Sequence, residues 1–134
     1  MAESTNFFVL DASAILTVLL PDEKNTSKAK KLAIAIATKE NIFLAPFLLE
    51  YEVINSLKSA VLQRRVTLSA AKKLLITFYR IPIHFKSINF LGKEILRDAI
   101  RYKLSAYDAT YLWLAKKQKA KLVTFDKKLA GLAV

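Results

Sequence analysis

Phe7-Phe8-Val9-Leu10-Asp11 is a short, unbroken apolar run that ends on a carboxylate. Four apolar residues without polar alternation suit a strand buried on both faces of a parallel sheet, since only a doubly covered sheet has apolar surroundings on each side. Similar runs follow at Ile42-Phe43-Leu44, Ile81-Pro82-Ile83 and Leu122-Val123-Thr124-Phe125. Longer segments between them read as helices. Pro46 can open one at its first turn, after which Leu49, Val53, Leu57, Ala60 and Val61 recur at 3.6-residue spacing. Leu68, Ala71, Leu75 and Phe78 mark another, and residues 88–102 and 106–118 supply two more, the last entered through Ser105 as N-cap. Short strands alternating with helices predict an α/β domain with a mostly parallel sheet.

The 134 residues suit one domain, and a content of 54% hydrophobic and 25% charged side chains lets such a chain bury a core without metal or disulfide staples. No repeat or low-complexity linker interrupts it, and there are only two glycines, so residues 1–134 are expected to form a single domain. The formal charge is +11, and it is uneven: residues 1–63 carry six basic and seven acidic side chains, residues 64–134 sixteen and four. That excess predicts a polyanionic partner, met by the second half. The absence of cysteine excludes thiolate zinc sites, cysteine nucleophiles and disulfides, and fits a cytoplasmic location. The apolar stretch from Phe7 to Leu20 follows Glu3 instead of a basic run and contains Asp11, Ser13 and Thr17, which argues against a secretory signal. It is also too short to span a bilayer, so no membrane partner is expected.

Several chemistries fall away at once. No GxGxxG or GxxxxGK[ST] pattern exists to cradle a nucleotide phosphate. His84 is the only histidine, which excludes a two-histidine ribonuclease, and no GxSxG elbow accompanies it for Ser-His-Asp catalysis. Its plain reading is a strand-end or satisfied core histidine.

What remains is a set of carboxylates in unusual places. Asp11 and Asp126 each follow a predicted strand directly, and the carboxyl ends of strands form the ligand-binding edge of open α/β sheets. An Asp after a strand also serves as an N-cap, and that role suits Asp11 equally. Asp108 lies in the segment Ala106 to Ala115, where only it and Thr110 are polar. A helix apolar all round is a buried helix, and a buried carboxylate costs several kcal/mol unless it is paired or binds a metal. Ser105 and Asp108 also have capping-box spacing, and capping and metal binding can coexist there. Glu52 shares a small, polar helix face with Asn55, Ser56 and Ser59, whereas Glu50 falls in the first turn, where a helix-dipole role explains it.

Four such carboxylates would repel one another if brought together, and a divalent cation removes that objection. All-oxygen ligands favour Mg²⁺ or Mn²⁺ over zinc, and such an ion can lower the pKa of a bound water and stabilise a leaving oxygen on phosphorus.

Residues 9–16 (Val-Leu-Asp-Ala-Ser-Ala-Ile-Leu), 46–57 (Pro-Phe-Leu-Leu-Glu-Tyr-Glu-Val-Ile-Asn-Ser-Leu), 104–115 (Leu-Ser-Ala-Tyr-Asp-Ala-Thr-Tyr-Leu-Trp-Leu-Ala) and 122–129 (Leu-Val-Thr-Phe-Asp-Lys-Lys-Leu) together resemble PIN-domain ribonucleases, particularly the VapC-type toxins of prokaryotic toxin-antitoxin pairs. The match covers nearly the whole chain in order. It implies a three-layer α/β/α sandwich and an endoribonuclease whose acidic site binds Mg²⁺ or Mn²⁺. Carried over by position, Asp11, Glu52, Asp108 and Asp126 are the catalytic and metal-binding acids. Ser13 and Thr124 resemble hydroxyl residues that line such sites, and Asn55 is placed to hold Glu52, although a simple helix-face amide accounts for it as well. The resemblance also implies a homodimer and a small cognate antitoxin that obstructs the cleft. Relatives commonly continue past the last acid into a final edge strand, of which Gly131 to Val134 is the expected beginning.

On this reading the basic second half holds RNA phosphates, with Arg64, Arg65, Lys116, Lys117, Lys119, Lys121, Lys127 and Lys128 as candidates, although a charge run also serves simply as a solvated face. A non-catalytic RNA-binding module with a PIN-like fold is the alternative; its acids would be caps and fold determinants. A phosphatase using Asp11 as nucleophile is a third, weakened by Ser13 where a second Asp is generally wanted.

Overall fold

A computed structural model describes residues 6–132. In chain order the elements are β1 (Asn6–Leu10), α1 (Ala12–Leu19), α2 (Ser27–Ala37), β2 (Asn41–Pro46), α3 (Leu48–Leu62), α4 (Leu68–Tyr79), β3 (Ile83–Lys86), α5 (Gly92–Tyr102), α6 (Ala106–Lys117), β4 (Lys121–Val123) and α7 (Lys127–Leu132). The four strands form one parallel sheet in the order β3-β2-β1-β4. Helices α5 and α6 pack as a pair, with α6 against β1, β2 and β4, while α1 to α4 pack on one another and reach β2 through α2 and α3. The result is the expected α/β/α sandwich.

Of the four apolar runs, those at 7–10 and 42–44 became the two central strands, with cover on both sides, whereas the runs at 81–83 and 122–125 became the edge strands β3 and β4, which are only partly buried. Val9, Leu10, Phe43, Leu44 and Ala45 are buried, and Phe8 stacks on Phe43 with ring centroids 5.7 Å apart. Helix α6 is buried along its length from Ala109 to Ala115, as its lack of a polar face requires.

Local differences from the sequence reading have physical causes. Pro46 does not open α3: it ends β2, paired with Lys86, and the helix starts two residues later at Leu48. The third strand begins at Ile83 instead of Ile81, because Pro82 has no N–H for the ladder. His84 sits within β3, its side chain exposed on the edge strand instead of in the core. The last strand ends at Val123, since Phe125 N–H turns to the Ser13 hydroxyl at 2.9 Å. Helix α2 has no sequence counterpart above: it buries only Ala29 and Leu32, too little for a clear apolar stripe, and Thr26 caps it through Ala29 N–H at 3.2 Å. Gly131 lies inside α7, not in an edge strand, because Asp126 caps that helix; Val134 lies outside the described residues.

Candidate active site

The chain builds β2 and β3 outward on one side of β1, then returns so that β4 lies on its other side. Between β1 and β4, therefore, the connections leave in opposite directions and a crevice opens at the carboxyl ends of the strands. Asp11 ends β1 at this point, while Thr124 and Asp126 follow β4.

Asp11 is buried, at 6% exposure, and fully engaged. Its Oδ1 accepts from Ala14 N–H at 2.9 Å, capping α1, and from the Ser13 hydroxyl at 2.7 Å. Its Oδ2 accepts from the Thr124 hydroxyl. Ser13 Oγ also receives Phe125 N–H, so two hydroxyls lock the end of β1 to the segment after β4. The cap role and the cleft position of Asp11 thus coincide, with the carboxylate fixed in direction before any ligand arrives.

Glu52 comes from the middle of α3 and is half-buried. Its Oε1 accepts the phenol proton of Tyr111 at 2.6 Å, and Oε2 has no hydrogen-bond partner among the described residues. Burial is the main cause that pushes the Glu52 carboxyl above its usual range; the Tyr111 hydrogen bond opposes it, and the charges of Asp108 and Asp11 add to it. Asp108 follows the same pattern: burial raises it first, then Asp126 and Asp11, against a lowering by Lys128 and Ser105. Its own N–H is satisfied by the Ser105 hydroxyl at 3.0 Å, so Ser105 is the N-cap of α6 and Asp108 stands in the first turn. Asp126 is exposed at the margin and caps α7 through Leu129 N–H at 2.8 Å.

Acids from β1, α3, α6 and the loop after β4 thus share one electrostatic field. No three acidic groups among the described residues stand close enough to form a ready metal cage. What is present is hard oxygen donors, two of them raised first by burial and further by neighbouring acids, and a cation of high charge density would offset both. The donor set fits Mg²⁺ or Mn²⁺.

Asn55 lies beside Glu52 on the rim of a cavity of about 430 Å³ that also includes Tyr51 and Tyr107, but its amide makes no hydrogen bond to Glu52. Tyr111 takes that place, and sequence reasoning missed it. The signal was available: a phenol three residues after Asp108, on a helix buried all round, must find a polar partner. Glu50 is turned away and accepts from Tyr79 at 2.5 Å. Arg65, a candidate for RNA phosphates, is instead committed to Asp22 at 2.9 Å and Glu23 at 3.0 Å.

Residues 8–134 match the protein family described as PIN domain. Ribonuclease VapC9 of Mycobacterium tuberculosis is 32% identical over 122 residues, covering 91% of this chain and 87% of its own. Ribonuclease VapC3 of Pyrobaculum aerophilum is 28% identical over 130 residues, 91% of each chain. A solved P. aerophilum protein, 25% identical, aligns with a TM-score of 0.73 over 96% of this chain and 80% of its own. The M. tuberculosis VapC20 structure, described as a Sarcin-Ricin loop cleaving toxin, is 14% identical with a TM-score of 0.62 over 92% and 93%, a likeness of fold.

Proposed function

The chain belongs to the PIN-domain family, and from that premise we propose that it is a metal-dependent endoribonuclease, the VapC-type toxin of a toxin-antitoxin pair, acting as a single domain over residues 1–134. The observation that carries this reading is that Glu52 and Asp108 both feel the charge of Asp11 at the switch point of the sheet, Glu52 also that of Asp108, and Asp108 also that of Asp126. The ribonuclease names of its relatives support the same activity.

Asp11, Glu52, Asp108 and Asp126 would hold a Mg²⁺ or Mn²⁺ ion. When bound, such an ion supplies a water of lowered pKa and neutralises charge on the leaving oxygen of a phosphodiester. The remaining work belongs to the chain. Ser13 and Thr124 fix the direction of Asp11, and Tyr111 holds one oxygen of Glu52 so that the other stays available. Lys128, close enough to Asp108 to lower its pKa, brings a positive charge to the rim where an RNA phosphate would enter.

A cytoplasmic location, a homodimer and inhibition by a cognate antitoxin belong to the same proposal, by family. No helix among the described residues is long and apolar enough to cross a membrane.

The direct test incubates the purified protein with a mixed RNA pool in Mn²⁺ or in chelator, beside Asp11→Asn and Asp108→Asn. Cleavage in Mn²⁺ that disappears in chelator and in both variants is expected. Persistence in chelator, or full activity of both folded variants, refutes the mechanism.

A further inference from the structure

The basic second half of the chain has a structured feature away from the acids. Lys116 and Lys117 occupy the last turn of α6, eight residues beyond Asp108, a separation of about 12 Å along the helix. Lys116 Nζ donates to the Tyr102 hydroxyl at 2.9 Å and lies 4.4 Å from the centre of its ring. The Arg101 guanidinium lies 5.4 Å from the same ring. Tyr102 thus stands against two cations, and the hydrogen bond from Lys116, with the charges of Lys116 and Arg101 adding to it, pulls its phenol below the usual value. Together with Arg97, Trp113 and Lys117 they border a groove of about 340 Å³ between α5 and α6.

The groove contains one carboxylate, Asp98, which is 6% exposed and paired with Arg97 at 3.2 Å. Among the described residues neither Arg101, Lys116 nor Lys117 pairs with an acid. With Asp98 engaged by Arg97, the remaining cations of the groove have no acid paired to them and suit an anionic ligand. A short chain of contacts leads from the end of α5 toward the acids. Lys103 ends α5 in the left-handed region, at φ 56°, and its carbonyl accepts from Lys128 Nζ, the same lysine that acts on Asp108. Lys128 therefore ties the backbone next to Arg101 and Tyr102 to the surroundings of Asp108.

We propose that the α5–α6 groove is an RNA exosite, in which Arg101, Lys116 and Lys117 grip the sugar-phosphate backbone at a distance from the bond to be cut. This rests on the ribonuclease reading above. The contacts are to the backbone, so they add affinity and set the direction of the strand without reading sequence. The cations gathered about Tyr102, with Lys128 between the end of α5 and the acids, favour a nucleic acid strand over an acidic peptide.

The test measures binding of the full chain to a fluorescein-labelled single-stranded RNA of about 20 nucleotides, in chelator, across a range of salt concentrations. Arg101→Gln and Lys117→Gln are each expected to reduce the slope of log affinity against log salt by about 0.7, which is about fivefold in affinity at 0.1 M salt. Lys30→Gln, exposed on α2, is expected to leave the slope unchanged. Slopes in Arg101→Gln and Lys117→Gln equal to that of the parent, with circular dichroism showing both folded, overturn the exosite. So does a groove-dependent affinity for polyglutamate that exceeds that for RNA. Cleavage by the parent in Mn²⁺ is scored separately: binding that follows the expected slopes without cleavage supports the exosite and refutes the nuclease reading.

Discussion

Tyr111 on α6 donates its phenol proton to Glu52 on α3 across 2.6 Å, joining residues 59 apart in sequence. Tyr111 is completely buried, and with Glu52 beside it the phenol is held well above its ordinary pKa, first by burial and then by this hydrogen bond. It therefore acts as a permanent donor that fixes Glu52 in orientation.

Tyr111→Phe keeps the ring and its packing but removes the donor. A hydrogen bond to a charged group contributes about 1.5–3 kcal/mol, so single-turnover cleavage should slow by roughly tenfold or more while affinity for RNA stays close to that of the parent. Stopped-time cleavage assays with RNA in excess and limiting amounts separate the two. A parallel loss of binding would show that Tyr111 supports the fold of the surface instead of positioning Glu52.

Asp11 serves as a helix cap and as a charge, and two variants separate these roles. Asp11→Asn retains an oxygen for Ala14 N–H and should stay within about 1 kcal/mol of parental stability, whereas Asp11→Ala loses the cap at about 0.5–2 kcal/mol. Both should lose cleavage. Urea denaturation beside the RNA assay checks this; an active Asp11→Asn would mean that only the cap matters.

In the metal-free protein, Glu52 and Asp108 retain their protons to higher pH in the folded chain than in the unfolded one. Between the ordinary carboxylate range, around pH 4, and the raised values, the folded chain therefore binds more protons, and stability contributed by these groups falls as pH rises. Glu52→Gln and Asp108→Asn should each remove part of that fall. Thermal unfolding in chelator from about pH 4 to pH 7 measures the difference from the parent, and a difference that shrinks as pH rises contradicts the prediction.

Divalent cation should act in the opposite sense. An ion that binds only the folded chain stabilises it by mass action, about 2.7 kcal/mol at a hundredfold excess over Kd. Mn²⁺ or Mg²⁺ should thus raise the Tm of the parent by several degrees and that of Asp108→Asn by much less. Equal shifts in both would place the ion elsewhere.

The architecture was legible in particular residues. The Phe7 to Leu10 and Ile42 to Leu44 runs are apolar on both faces and form the central strands, although Phe7 at the start of β1 is exposed, and the unbroken apolarity of α6 matches its burial. Asp11 and Asp126 stood out because each directly follows an apolar run, Asp108 because it interrupts one and Glu52 because it lies on a polar helix face, whereas Ser13 and Thr124 were expected only from the family resemblance. Helix α2 was illegible because it rests on two buried side chains, and the start of β3 because Pro82 reads as apolar while being unable to pair.

The sequence by itself determined the alternation of strands and helices and the excess of positive charge in the second half, and it offered the four acids as candidates, since each depends on side chains within one local segment. Only the tertiary structure decided which of these meet. The strand order puts β4 beside β1, and so brings Thr124 to Asp11; the packing of α6 over the sheet brings Tyr111 to Glu52. Those contacts depend on how the chain turns back on itself, and local residue patterns carry no record of that choice. The same holds for charge: Arg65 is neutralised by Asp22 and Glu23 from an early loop, whereas Arg101 and Lys116 meet across Tyr102 with no acid to pair with, although in sequence all three are simply basic residues.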